Sequence, residues 1–304
     1  YFLRKQGPSI FGPSAEAPED IPRREVILYS GAMFTDMFVA FAMQHSGRII
    51  LGVFLTSADV GVYNVVALLS TLITFVMLSF NSVFSAVISD LYHTDRGELL
   101  ASLFRSVARW TIILSLPIYV WLLVAGESTL GVFGGEFVRG YMGLRYLATG
   151  YFIAISTGPV GIALAMTGHQ KWNVLNAVAL AIISVVLNML LVPRLGVTGA
   201  GLAAGIAQAL VKLARLVQVR FLLKMTPYDS STFKVIGTAA ITLTLAFVAR
   251  RYVEIPRGIE WSAAVLGVSF GVVGLLTVLM GVKAEDRMLL AAVLRRLRRP
   301  GRRS

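Results

Sequence analysis

The sequence has no cysteine, only three histidines and few charged residues, and each shortage removes a class of chemistry. Without cysteine there are no disulfides, thiolate metal sites or cysteine nucleophiles. His45, His93 and His169 stand far apart with no second ligand at helical spacing, so no metal site is expected. Phosphate loops, nucleophile elbows and paired hydrolase carboxylates are also missing, which points to a protein that is no enzyme and carries no cofactor. Charged residues make up 14% of the 304 and hydrophobic ones 56%, against about 25% and roughly 45–50% in soluble domains. The few charges punctuate long neutral stretches instead of lining one face of each helix, a distribution foreign to water-soluble helices.

What the sequence does have is apolar runs. A helix crosses the hydrocarbon with about 20 mainly apolar residues, and by that measure the chain reads as an all-α polytopic membrane protein of about eight transmembrane helices. The first runs from about Val26 to Leu55, and the second lies between Asp59 and Asp90. The third follows Arg109 and ends before Glu127, with a kink expected at Pro117, and the fourth runs from Leu144 to Thr167 through Gly158 and Pro159. The fifth and sixth, Trp172 to Val192 and Val197 to Leu216, are predicted to form a tight hairpin with its turn at Pro193 and Arg194. Phe233 to Val248, a short span, and Trp261 to Val282 complete the set.

The net charge of +12 does not imply nucleic acid, because the basic residues sit beside hydrophobic spans and report topology. If the Pro-rich segment 1–25 is cytoplasmic, that side collects most of the 28 lysines and arginines, residues 212–234 included. Both termini are therefore expected in the cytoplasm, with the chain in the cytoplasmic (cell) membrane.

The second span carries the most informative pattern. On a helical wheel Asn64, Ser70, Thr71, Thr74, Ser79, Asn81, Ser82, Ser85 and Ser89 share one half, and the other half is wholly apolar. Such a stripe fits either the wall of a wetted cavity or hydrogen bonding between helices. In the first span Gln44, His45 and Arg48 lie close together on neighbouring turns, with Asp36 on the flank about two turns deeper. Intramembrane ions are costly and normally face a cavity or a partner. Arg48 suits a phosphate or diphosphate through its fork of donors, unless it snorkels to the interface. Asp36 fits a structural ion pair or a coupling-ion site, and His45 a proton switch. The candidate substrate-binding residues are thus Arg48, Gln44, His45, Asp36, Asn64, Thr74, Asn81 and Ser85.

Two GxxxG pairs, Gly201 with Gly205 and Gly267 with Gly271, read as helix packing. In the tail, Leu289, Leu290, Val293, Leu294 and Leu297 oppose Arg287, Arg295, Arg298 and Arg299, the pattern of a helix lying on anionic membrane lipids, with RNA binding as the weaker reading.

The runs GVFLTSADVGVYNVVALLSTL (Gly52 to Leu72), GGEFVRGYMGLRYLATGY (Gly134 to Tyr151) and ALAMTGHQKWNVLNAVALAIISVVLNMLLVPRLGVTGAGLAAGIAQ (Ala163 to Gln208) together resemble the C-terminal lobe of polysaccharide flippases of the Wzx type. These belong to the same superfamily as multidrug and toxin extrusion transporters. The resemblance implies one six-helix lobe of a two-lobed transporter, residues 26–224, preceded by an inter-lobe linker, 1–25, and lacking its N-terminal partner lobe. Residues 225–282 would be two additional transmembrane helices and 283–304 a basic amphipathic cytoplasmic tail. The implied cargo is a polyprenyl-(di)phosphate-linked oligosaccharide or related glycolipid, moved by alternating access, with Arg48 matching the family's habit of cationic cavity residues. The rivals are a cation-coupled multidrug exporter, a membrane polymerase and a non-transporting scaffold. An all-basic cavity favours the flippase, and a buried acidic ion site the exporter.

Overall fold

A computed structural model describes residues 50–94, 96–229 and 259–279, together with residues 232, 235, 237, 239 and 242–244. No strand occurs among the described residues, and the elements are α1 (Ser57–His93), α2 (Gly97–Gly131), a 3-10 helix (Gly135–Gly140), α3 (Tyr141–Ser156), α4 (Val160–Met166), α5 (Gln170–Leu222) and α6 (Ile259–Leu279). Most of the first span, the seventh span, the linker and the basic tail fall outside the described residues.

α1 starts where its sequence supplies a capping box. The Thr56 hydroxyl accepts the Asp59 N–H at 3.3 Å, and the Asp59 carboxylate accepts the Thr56 N–H at 3.2 Å. Asp59 also receives Arg139 from the 3-10 helix at 3.1 Å, so the cap ties the two elements together. From there α1 turns its apolar half inward. Val62, Val66, Leu69, Ile73 and Phe84 are buried, while Asn64, Leu68, Phe75, Leu78 and Ser79 are exposed. α2 is the central helix, buried along most of its length, and it runs unbroken through Pro117. Here the sequence expectation needs correction: Arg109 and Glu127 do not bound the helix but lie within it, Arg109 almost wholly buried. That charge is tolerable because Asp229, in the segment after α5, comes within 3.9 Å of its guanidinium.

The expected hairpin is present, with its reversal moved. A rise of about 1.5 Å per residue would put Asn176 and Gln218 roughly 63 Å apart on one straight helix. Instead they exchange amide hydrogen bonds of 2.6 and 3.1 Å. The chain reverses at Gly196, whose φ of 56° and ψ of −134° leave the helical region, and Pro193 sits within the helix before it. α5 is therefore two antiparallel arms on either side of Gly196.

The second arm packs on α3 along a glycine seam. A Cβ on Gly150 would overlap the backbone of Gly205, one on Gly201 the backbone of Gly143, and one on Gly205 would meet the Tyr146 carbonyl at 2.6 Å. The packing reading of Gly201 and Gly205 therefore holds. Gly267 and Gly271 have no neighbour within 4 Å among the described residues, so their packing partners are not among these.

Among the described residues three helices, α1 over Ser57–Asn81, α2 and α5, are long and apolar enough to cross a membrane, and the 3-10 helix and α3 together with α4, bent by 44° at the Gly158–Pro159 break, make a fourth when counted as one span. Large apolar side chains such as Phe75, Leu175, Ile182, Leu190 and Phe221 cover the outer faces of α1 and α5. Apolar surface on that scale suits lipid and not water. The protein is an all-α polytopic membrane protein.

Candidate functional site

Of the eight residues proposed from sequence, Asp36, Gln44, His45 and Arg48 lie outside the described residues. The other four sit on α1 in different settings. Asn64 is exposed, while Thr74, Asn81 and Ser85 are half-buried. Much of the hydroxyl stripe is satisfied within its own helix: Ser70 donates to the Val66 carbonyl at 2.8 Å, Thr71 to Leu68 at 2.7 Å, Thr74 to Thr71 at 2.7 Å and Ser79 to Phe75 at 3.2 Å. Back-bonding of this kind lets serine and threonine sit in an apolar setting without a partner helix. Asn81 differs, because its Oδ1 is buried and meets no donor among the described residues.

Asn81 opens onto a cavity of about 230 Å³, and this is where the chemistry collects. Met77 and Asn81 of α1 form one wall, and Gly158, Pro159, Gly161 and Ile162 at the break between α3 and α4 form another. The third belongs to α5, with Asn173 from its first arm and Lys212 and Arg215 from its second. Lys212 and Arg215 are three residues apart, so both project from one helix face. No carboxylate lines the cavity among the described residues.

Each wall is positioned by a specific local feature. Gly158 adopts a φ of +74°, and a Cβ there would meet Ala108 of α2 at 2.8 Å, so the break can approach α2 only as glycine. Pro159 follows, and having no N–H it removes one donor from the site where the helix is interrupted. Pro227 packs against the same glycine, and two residues on Asp229 takes Arg109 and caps Thr232 through its Oδ1 at 2.8 Å. The segment after α5 thus clasps the break from outside. Gly161 lets the Arg215 guanidinium lie close, since a Cβ there would stand 3.1 Å from it. Asn173 is oriented by donating its Nδ2 to the Gly161 carbonyl at 2.8 Å, which leaves its Oδ1 as a buried acceptor without a donor among the described residues.

The cavity therefore offers two cations, two unmet amide acceptors and the unmet Nε of Arg215. A buried group left unpaired costs about 1–3 kcal/mol, so a ligand with anionic oxygens and hydroxyl donors relieves several such costs together. At about 230 Å³ the cavity is below the range of about 300–1,000 Å³ usual for small-molecule pockets, which fits a single headgroup and not an extended chain.

Sequence reasoning missed Lys212, Arg215 and Asn173. It assigned residues 212–234 to a basic loop, because positive charge at the end of an apolar run ordinarily marks topology. The available signal was their i, i+3 spacing inside the predicted sixth span, with Gln208 and Gln218 a turn away on either side.

Residues 21–138 match the family of polysaccharide biosynthesis proteins. The matched segment contains all of α1 and α2 and so includes Met77 and Asn81 of the cavity wall. It bears out the sequence resemblance to polysaccharide flippases and supports a role in polysaccharide biosynthesis. No curated protein and no solved structure matches the chain.

Proposed function

We propose that the protein is a non-enzymatic flippase that moves a polyprenyl-(di)phosphate-linked oligosaccharide, or a related glycolipid, across the cytoplasmic membrane by alternating access. It does so as one lobe of a two-lobed transporter with both termini cytoplasmic. The observation that carries this reading is the cavity between α1, the α3–α4 break and α5, with Lys212 and Arg215 on one face and no carboxylate in its lining among the described residues. A coupling site for an exporter needs a buried acid to bind its cation, whereas a phosphate headgroup needs cations that exchange water for its oxygens. Lys212 supplies a compact charge and Arg215 a planar fork, while Asn81 and Asn173 accept from hydroxyls of the adjoining sugar. Along α1 and the second arm of α5 the cavity residues lie in the C-terminal half, the half nearer the side that we read as cytoplasmic from the lysine and arginine distribution. Cargo made in the cytoplasm is then captured there. Arg48, Asp36, Gln44 and His45 of the first span remain candidate contacts for the same cargo. The reading is tested in cells carrying the native gene, where replacing both Lys212 and Arg215 with alanine should trap the lipid-linked saccharide on the inner leaflet. Undiminished export at normal protein abundance overturns it.

A further inference from the structure

A second cavity, of about 320 Å³, lies toward the opposite end of α3. It is lined by Tyr119 and Leu123 of α2, by Met142, Arg145, Tyr146 and Thr149 of α3, and by Leu243. Thr149 and Gly158, one from each cavity, are nine residues apart along the chain, roughly 13 Å at about 1.5 Å per helical residue, so the two cavities are separate along the α3 axis.

Its chemistry differs from that of the basic cavity. Thr149 commits its only hydroxyl proton to the Arg145 carbonyl at 2.7 Å. The 3.1 Å contact between Tyr119 and Thr149 must then have Tyr119 as donor, which leaves lone pairs on the Tyr119 oxygen for a ligand donor. Phe152 stacks on one face of the Tyr119 ring at 4.3 Å, with the planes 5° apart, and fixes it in place. Arg145 contributes a guanidinium whose charge is partly met by the Tyr141 ring, 5.7 Å away, and Tyr146 leaves an exposed aromatic ring at the rim. The cavity thus presents phenol acceptors, guanidinium donors and an aromatic surface together. A phosphate can use only the donors. A pyranose ring uses all three, with hydroxyls that donate and accept around its edge and an apolar C–H face that lies on an aromatic ring.

We propose that this cavity is a saccharide-binding subsite, recognising a sugar ring by the Tyr146 face, the Tyr119 oxygen and the Arg145 guanidinium. The proposal rests on the reading of the cargo as a lipid-linked saccharide. It adds that a sugar ring farther from the phosphate than the adjoining one has its own station, apart from the cations that hold the phosphate.

The test is saturation-transfer NMR on the full chain in nanodiscs, with free glucose, galactose, mannose, rhamnose and N-acetylglucosamine as probes. Because no lipid-linked cargo is present, the result is independent of transport. At least one sugar should receive saturation at its ring C–H protons. Tyr146→Ala should weaken binding about threefold to tenfold, the loss of one aromatic contact, and Tyr146→Phe should largely keep it. Leu190→Ala, on the exposed outer face of α5, should leave it unchanged. Absence of saturation for every sugar, an undiminished signal in Tyr146→Ala, or displacement of the sugar by phosphatidylglycerol in the discs overturns the proposal. The last result would assign the cavity to a lipid headgroup.

Discussion

Gly150→Ala puts one methyl group into one of the tightest contacts among the described residues. An ideal Cβ at Gly150 falls on the Cα, carbonyl carbon and oxygen of Gly205, backbone atoms that cannot rotate aside. Carbon atoms pack at about 3.5–4.0 Å, so α3 and the second arm of α5 would have to part by roughly 1–1.5 Å. Parting would also loosen Gly143 against Gly201 along the same seam. Helices in lipid associate through van der Waals packing, with no hydrophobic term to compensate. Overpacking costs about 1–3 kcal/mol and this site belongs at the upper end, while the better helix propensity of alanine returns about 1 kcal/mol, leaving a net loss of about 2 kcal/mol. Gly267→Ala in α6 is the matched control, because no described atom lies within 4 Å of its Cβ position. It keeps the propensity gain alone, at most about 1 kcal/mol. Both variants would be compared by reversible unfolding in bilayers and by thermal size-exclusion profiles in detergent. A Gly150→Ala protein as stable as the Gly267→Ala protein would refute the close approach of the two helices.

Three other outcomes follow from the same geometry. Gly158→Ala should destabilise the protein by about 1–3 kcal/mol in a thermal unfolding series, since a methyl group at positive φ also presses on Ala108. Arg109→Met leaves Asp229 without its cation; a buried pair so broken costs about 3–5 kcal/mol, reduced to about 2 kcal/mol because Asp229 is 22% exposed, and a double-mutant cycle with Asp229→Asn should recover part of it. Single cysteines on α1 should distinguish cavity from core, with a polar thiol reagent labelling Asn81→Cys well above Ile73→Cys, and equal labelling would remove Asn81 from an accessible cavity.

The fold was largely legible in the sequence, because the periodicity and length of apolar runs follow from the thickness of the hydrocarbon core. The hairpin, the Gly158–Pro159 bend and the packing role of Gly201 and Gly205 were readable for the same reason, as each uses a residue type with few alternative uses. Charges misled. Arg109 and Glu127 looked like helix boundaries, but tertiary partners such as Asp229 lie far away in the chain, and sequence spacing carries no signal for them. Lys212 and Arg215 were absorbed into a topology count that treats every cation near a span end alike. In the hydroxyl stripe, sequence could not separate Ser70, Thr71 and Thr74, which bond to their own helix, from Asn81, whose carbonyl oxygen meets no donor among the described residues. The GxxxG pattern at Gly201 and Gly205 reported packing because only glycine lets the two helix backbones approach so closely.

The central claim is that Lys212 and Arg215 hold the anionic headgroup of a lipid-linked saccharide on its way across the membrane. Its most direct measurement is the transbilayer distribution of the radiolabelled lipid-linked saccharide in cells whose native gene carries Lys212→Ala with Arg215→Ala, beside cells carrying the charge-preserving pair Lys212→Arg with Arg215→Lys. The account predicts that the alanine pair accumulates the saccharide on the cytoplasmic leaflet at normal protein abundance, and that the charge-preserving pair exports a substantial fraction. Export by the alanine pair equal to that of the unaltered protein would contradict it.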